Sequence, residues 1–287
     1  VPVEEMLVCS TGTIGRRLPM ERIRNGIKLA AEALSYDGGQ AAADAILTTD
    51  LVCKKAAVSV EINGKEIVVG GICKGSGMIC PNLATTLCFI TTDAKVKQSA
   101  LQKATKAAVE KSFNRITVDG DQSTNDTFAV FANGAASEIE LDEAHPEWSK
   151  FVEALTEVAT SLAKQIVMDG EGATKFVAIT VEKAASNEDA LLACREIANS
   201  PLFKTACFGG DPNWGRVISA VGNSGCEVEE LKTEIYFDDV CVFNKGKLAS
   251  EEDNARLAKV MAQRAFGVTV KLNLGEGEDT VRSEEHT

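Results

Sequence analysis

Two runs suited to strands, 56–62 and 65–72, flank Asn63-Gly64, and that dipeptide between such runs is the strongest short-range signal for a tight β-hairpin. The hairpin delivers the chain into Lys74-Gly75-Ser76-Gly77-Met78-Ile79-Cys80-Pro81-Asn82-Leu83-Ala84, where two glycines and a proline turn it sharply. Residues 85–92 follow, rich in β-branched and aromatic side chains, and read as a strand starting at Thr85. A small residue before a threonine at this boundary is what self-cleavage to an N-terminal threonine nucleophile would need. Taken alone, the stretch reads first as a glycine-rich turn feeding an ordinary strand, by about ten to one.

The rest of the composition limits the chemistry. Among 287 residues there are two histidines, His145 and His286. His145 precedes Pro146 at the start of a helix and reads as a solvated cap-region residue, so a histidine-based triad lacks its general base. Nine cysteines, mostly inside apolar runs and without any CxxC pair, give a reduced, cytosol-type pattern and no zinc motif; no metal site is expected. A net charge of -12 argues against nucleic acid or anionic membrane as partner. No apolar run is long enough to span a bilayer, and a soluble, cytoplasmic chain is expected.

Along the chain, 5–9 is strand-like and leads into the tight loop 10–15, which lacks the ending of a phosphate-binding loop. Apolar Ile23, Ile27, Ala30, Ala31 and Leu34 recur at helical spacing, and a short helix follows through 40–47. Further helices are predicted over 96–112, from Pro146 to about Asp169 (buried stripe Trp148, Phe151, Leu155, Val158, Leu162, Ile166), over 187–199 and over 251–263. Strands are predicted over 175–181, 234–237, 241–243 and 268–274, and 128–131 is an apolar run after the polar loop. The acid-rich loop 119–127 lacks calcium-loop spacing and reads as an Asx-rich turn, and 209–216 reads as a compact loop carrying Trp214 before apolar 217–221. Strands interleaved with helices make the class α/β or α+β, a layered sandwich.

Six stretches together resemble one family, the bifunctional ornithine acetyltransferases of arginine biosynthesis, the ArgJ family. They are Ser10-Thr11-Gly12 with Ile14-Gly15; Thr48-Thr49-Asp50; the Lys74–Asn82 turn with Ala84-Thr85; Asp119-Gly120-Asp121 with Ser123–Thr127; Ser200-Pro201-Leu202 with Lys204-Thr205-Ala206; and Asp211–Arg216. The resemblance runs in order from Val1 to about Gly277. It implies the fold shared with self-cleaving β-aminopeptidases of the DmpA type, built around an N-terminal threonine nucleophile. Autoproteolysis between Ala84 and Thr85 would make residues 1–84 part of an α chain and 85–281 part of a β chain, assembled as α2β2.

The roles implied follow residue by residue. Thr85 is the nucleophile; its own freed α-amine, with a reference pKa near 8, would take the hydroxyl proton and so replace the missing histidine. Thr11 and Gly12 correspond to the oxyanion hole. Thr48, Lys74, Thr85 and Glu171 correspond to substrate contacts, with Lys74 suited to an α-carboxylate and Glu171 to the ornithine amine; Thr49 and Asp169 are the neighbouring rivals. The implied substrates are N-acetylornithine and glutamate, without a cofactor, acetyl-CoA being a further co-substrate of bifunctional members. The family more usually has methionine where Leu83 and Thr86 stand. Alternatives are a self-cleaving aminopeptidase of the same fold, transferring to water, and a non-catalytic binding domain whose 84–85 bond stays intact.

Both ends are expected to be cuts through a longer protein. Residues 282–287 continue no periodicity, and Arg282-Ser283-Glu284-Glu285-His286-Thr287 is what one frame of a common sequencing adapter encodes; they are expected to be an artefactual tail.

Overall fold

The computed structural model describes residues 2–80, 86–248 and 253–285. Its strands are β1 (Lys54–Ile62), β2 (Lys65–Lys74), β3 (Leu87–Thr92), β4 (Ile116–Thr117), β5 (Thr127–Ala132), β6 (Lys175–Ala184), β7 (Glu234–Phe237), β8 (Val240–Asn244), β9 (Lys247–Leu248), β10 (Ala265–Lys271) and β11 (Gly277–Glu285). The helices are α1 (Met20–Glu32), α2 (Gly39–Ala45), α3 (Gln98–Lys111), α4 (Trp148–Met168), α5 (Asn187–Asn199), α6 (Pro201–Gly209), α7 (Trp214–Asn223) and α8 (Asn254–Met261).

The hairpin forms as expected. Asn63 and Gly64 both take positive φ (52° and 67°), the two left-handed positions that a turn matching strand twist requires. It aligns β1 and β2 from Lys54↔Cys73 to Ile62↔Lys65. The tip is held by Glu147, which accepts the Asn63 N–H at 2.7 Å, and His145 lies 2.7 Å from the Asn63 amide, so this histidine pins a turn. A four-stranded sheet then runs β1-β2-β3-β5, with β2 and β3 antiparallel and β3 and β5 parallel. It therefore draws strands from either side of the expected 84–85 cut. The second sheet, β4-β11-β6-β10-β7-β8-β9, has seven strands, with β6 and β10 parallel at its centre.

Each sheet has its own apolar core. On the first, α4 lays down Phe151, Leu155, Val158, Leu162 and Ile166, all fully buried as the period predicts, with Ile67, Val69 and Ile90 beneath them. On the second, α5, α7 and α8 pack Ile197, Val217 and Met261 over Ile179, Ile235 and Val268. The architecture is the expected mixture of sheets and packed helices.

The structure departs from the sequence reading at four places. Residues 201–209, to which the sequence assigns no element, and 214–223, which read as the end of a loop and an apolar run, are helices: Ser200 Oγ accepts the Phe203 N–H, Asn213 Oδ1 accepts the Arg216 N–H, and Pro201 occupies the first turn, so the polar residues are N-caps. Trp214 stacks on Phe243 at 4.8 Å and is packed. Helix α1 forms, but its apolar face is uncovered, with Ile27 63% exposed. Residues 282–285, part of the stretch expected to be an artefactual tail and continuing no sequence periodicity, form the end of β11, pairing Arg282↔Ala178 through Glu285↔Lys175. Backbone groups make a ladder, so charged side chains do not prevent that pairing. The strand expected from Thr85 begins, among the described residues, at Leu87. Ala84, Thr85, His286 and Thr287 lie outside the described residues.

Candidate active site

A cavity of about 470 Å³ opens where the N-terminal segment meets the turn after β2. Thr11, Gly12, Thr48, Lys74 and Glu171 all line it, together with Thr49, Gly75–Met78, Asp119 and Ser123–Asn125. Five expected site residues, from four stretches up to 160 positions apart, are thus brought together. Thr85 is outside the described residues, and the next residue, Thr86, is buried, its carbonyl accepting the Thr127 N–H at 2.7 Å.

The turn that carries the site is fixed by its backbone donors. Gly75 sits at φ +157°, and a Cβ there would come within 3.1 Å of Ile79 and Thr86, which is why glycine is needed. Its N–H goes to Asp50 Oδ1 at 2.7 Å. The N–H groups of Met78 and Ile79 both go to the Asp119 carboxylate, at 2.5 and 2.9 Å. On the other flank, Ser76 Oγ donates to the Asp169 carbonyl and Glu171 N–H donates to the Ser76 carbonyl, each at 2.9 Å. Gly77 is where Glu171 comes close: a Cβ there would lie 2.8 Å from Glu171 Oε2.

Beneath the cavity lies a buried ion network. The Lys54 ammonium, fully enclosed, donates to Asp50 Oδ1 and Asp169 Oδ2, both at 2.6 Å, and to the Val52 carbonyl at 3.2 Å. Asp50 also accepts the Thr48 N–H, and Asp169 accepts those of Leu51 and Val52. The network thereby ties the Thr48 loop to the Gly75 turn and to the end of α4. Burial raises the Asp50 pKa, but its hydrogen bonds from Lys54, Gly75 and Thr48 outweigh that and hold it below the usual carboxylate value. This also separates the two acids that rivalled one another: Asp169 is consumed by Lys54, while Glu171 lines the cavity.

Lys74, the last residue of β2 and level with Leu87 of β3, is the cavity's cation. Burial lowers its pKa; Asp50 and Asp126 pull it back up, and Lys54 lowers it further. A cation and the Glu171 carboxylate lining one cavity suit a small molecule carrying both a carboxylate and an ammonium group. The 119–127 loop does form an Asx turn, Asp119 accepting the Asp121 N–H at 3.0 Å, but it also builds the cavity wall. That second role was missed. Lys54 was missed as well, since nothing local to a lysine at a strand start signals an acid 115 positions away.

The sequence model of the ArgJ family matches residues 1–285. The arginine biosynthesis bifunctional protein ArgJ of Geobacter sulfurreducens is 49% identical over 277 residues, covering 96% of this chain and 70% of that protein. The proteins of the same name from Oceanobacillus iheyensis and Methylococcus capsulatus are each 46% identical, over 93% and 97% of this chain and 65% and 68% of theirs. The chain thus spans about two thirds of the length of these relatives. A crystal structure of arginine biosynthesis bifunctional protein ArgJ from Bacillus halodurans matches with a TM-score of 0.68 at 38% identity, covering 71% of this chain and 95% of that one.

Proposed function

Because this chain belongs to the ArgJ family, we propose that it is an ornithine acetyltransferase of arginine biosynthesis, moving acetyl from N2-acetylornithine to glutamate. The observation that carries the residue assignment is the meeting of Thr11, Gly12, Thr48, Lys74 and Glu171 around one cavity.

Before the cycle, and once only, the Thr85 hydroxyl attacks the Ala84 carbonyl, the Ala84 acyl group passes from the Thr85 nitrogen to its oxygen, and water opens that ester to leave an Ala84 carboxylate and a free α-amine on Thr85. That amine takes the Thr85 hydroxyl proton as the oxygen attacks the acetyl carbonyl of N-acetylornithine. The tetrahedral oxyanion is held by Thr11 and Gly12, a role for fixed donors that is worth several kcal/mol of barrier. The C–N bond then breaks, the leaving amine collects the proton, and ornithine departs from an acetyl-Thr85 ester. Glutamate's amine attacks that ester by the reverse route and leaves as N-acetylglutamate, restoring the hydroxyl. Lys74 holds the substrate α-carboxylate, Glu171 the ornithine amine, and Thr48 the wall between them. The chemistry needs no cofactor; acetyl-CoA would serve as an alternative donor, the protein would work in the cytoplasm, and two copies of each cleaved chain would form α2β2.

Expression from the complete gene tests this. The expected result is two bands on a denaturing gel, one uncut band for Thr85→Ala, and parallel-line two-substrate kinetics for the wild type. A wild type that stays uncut contradicts the self-cleavage, and hydrolysis of amides to water without transfer to glutamate points to an aminopeptidase instead.

A further inference from the structure

A second cavity, of about 310 Å³, adjoins the one that holds Lys74 and Glu171. Thr11, Gly12, Thr124 and Asn125 line both, and the second adds Arg16. The pair that corresponds to the oxyanion hole therefore stands where the two spaces meet.

The two spaces differ in charge. The first carries both signs, Lys74 and Glu171, while its Asp119 carboxylate is taken up by the N–H groups of Met78, Ile79 and Asp121. Among the described residues the second is lined by no acid, and its charged side chain is that of Arg16. The Arg16 N–H closes a turn on the Thr13 carbonyl at 3.1 Å, which keeps the residue beside the cavity. Asn125 Oδ1 accepts the Thr124 hydroxyl at 2.6 Å, so the amide N–H groups of Asn125 are left to donate. A guanidinium and an amide donor, with no carboxylate beside them, suit a carboxylate ligand.

The two substrates of the proposed transfer need different charges. N-acetylornithine brings an α-carboxylate and a side-chain ammonium, which Lys74 and Glu171 match. Glutamate brings two carboxylates, and with the first on Lys74 the second would meet the like charge of Glu171 in the same space. We infer that the second cavity is the acceptor's side-chain site, where Arg16 takes the γ-carboxylate of glutamate and Asn125 donates beside it. The ornithine arm then lies toward Glu171 and the glutamate arm toward Arg16. The reacting amine stays between them, at Thr11 and Gly12. This assignment rests on the proposed transfer to glutamate. It involves binding alone, with no bond made and no proton moved.

The test is two-substrate kinetics of the complete protein, with Arg16→Gln and Arg16→Lys beside the wild type. In a ping-pong cycle, kcat/KM for each substrate reports its own half-reaction. Arg16→Gln is expected to lower kcat/KM for glutamate about tenfold, the low end for a hydrogen bond to a charged group, with the loss in KM. The value for N-acetylornithine should stay, and Arg16→Lys should recover most of the loss. An unchanged kcat/KM for glutamate, or an equal loss for both substrates, overturns the proposal. Calorimetry of glutamate binding, without an acetyl donor, gives a second reading. About tenfold weaker binding is expected in Arg16→Gln; equal affinity in both proteins, or no binding to the wild type, overturns the site. Binding needs no turnover, so a protein that holds glutamate through Arg16 yet transfers no acetyl supports the site and counts against the proposed activity alone.

Discussion

Lys54 shows how much of the site is held from below. Its ammonium is enclosed between Asp50 and Asp169, and replacing it by methionine would leave two carboxylates facing each other without a cation. Breaking such a network costs about 3–5 kcal/mol, so Lys54→Met should lose that much in urea unfolding. The same network sets a pH dependence. Because the folded-state pKa of Asp50 lies below its ordinary 3.8, its contribution is present above that value and is lost as pH falls through the lower, folded pKa. Wild-type stability should therefore fall below about pH 4, and Asp50→Asn should flatten that part of the curve, as acid titration of the unfolding free energy would show. Gly77 offers a cleaner probe of the cavity. A methyl group 2.8 Å from Glu171 Oε2 must displace that carboxylate while touching no core residue. Gly77→Ala should keep its far-UV circular dichroism and lose about ten- to a hundredfold in kcat/KM for N-acetylornithine.

At the scale of elements, α4 organises the first core. Leu162 is fully enclosed, lies over Gly71, and its carbonyl accepts the Cys73 thiol at 3.8 Å. Leu162→Ala should cost about 2–5 kcal/mol by denaturant unfolding. This helix was legible because its apolar period runs unbroken for five turns, and the β1–β2 hairpin because Asn63-Gly64 leaves the chain little else to do. Helices α6 and α7 were not, because their first residues, Ser200-Pro201 and Asn213, carry the same signals as a loop and become caps only when a helix follows. Periodicity along α1 gave the helix but not the exposure of its face, since spacing says nothing of what covers it. For the site, residue types alone left the Lys74–Thr86 stretch as a turn before a strand. The family likeness supplied Thr11, Gly12, Thr48 and Glu171, and the fold then brought them to Lys74. Contacts over a hundred positions apart, such as Lys54 with Asp169, have no local signature to read.

For the whole molecule, the decisive feature is that one sheet is built from both sides of the 84–85 bond. Cys73 pairs with Cys88 and Val69 with Thr92 across β2 and β3, so cleavage would leave the two pieces joined by a full antiparallel ladder and a shared core. The cleaved protein should elute as one species in native size exclusion and separate into its two pieces only in denaturant. The central claim is that this assembly carries acetyl on Thr85, and peptide mass spectrometry after incubation with N-acetylornithine in the absence of glutamate tests it most directly. An acetyl group is expected on a peptide whose first residue is Thr85, removed when glutamate is added. An acetyl group on any other residue, or a Thr85 still joined to Ala84 in an active protein, would contradict it.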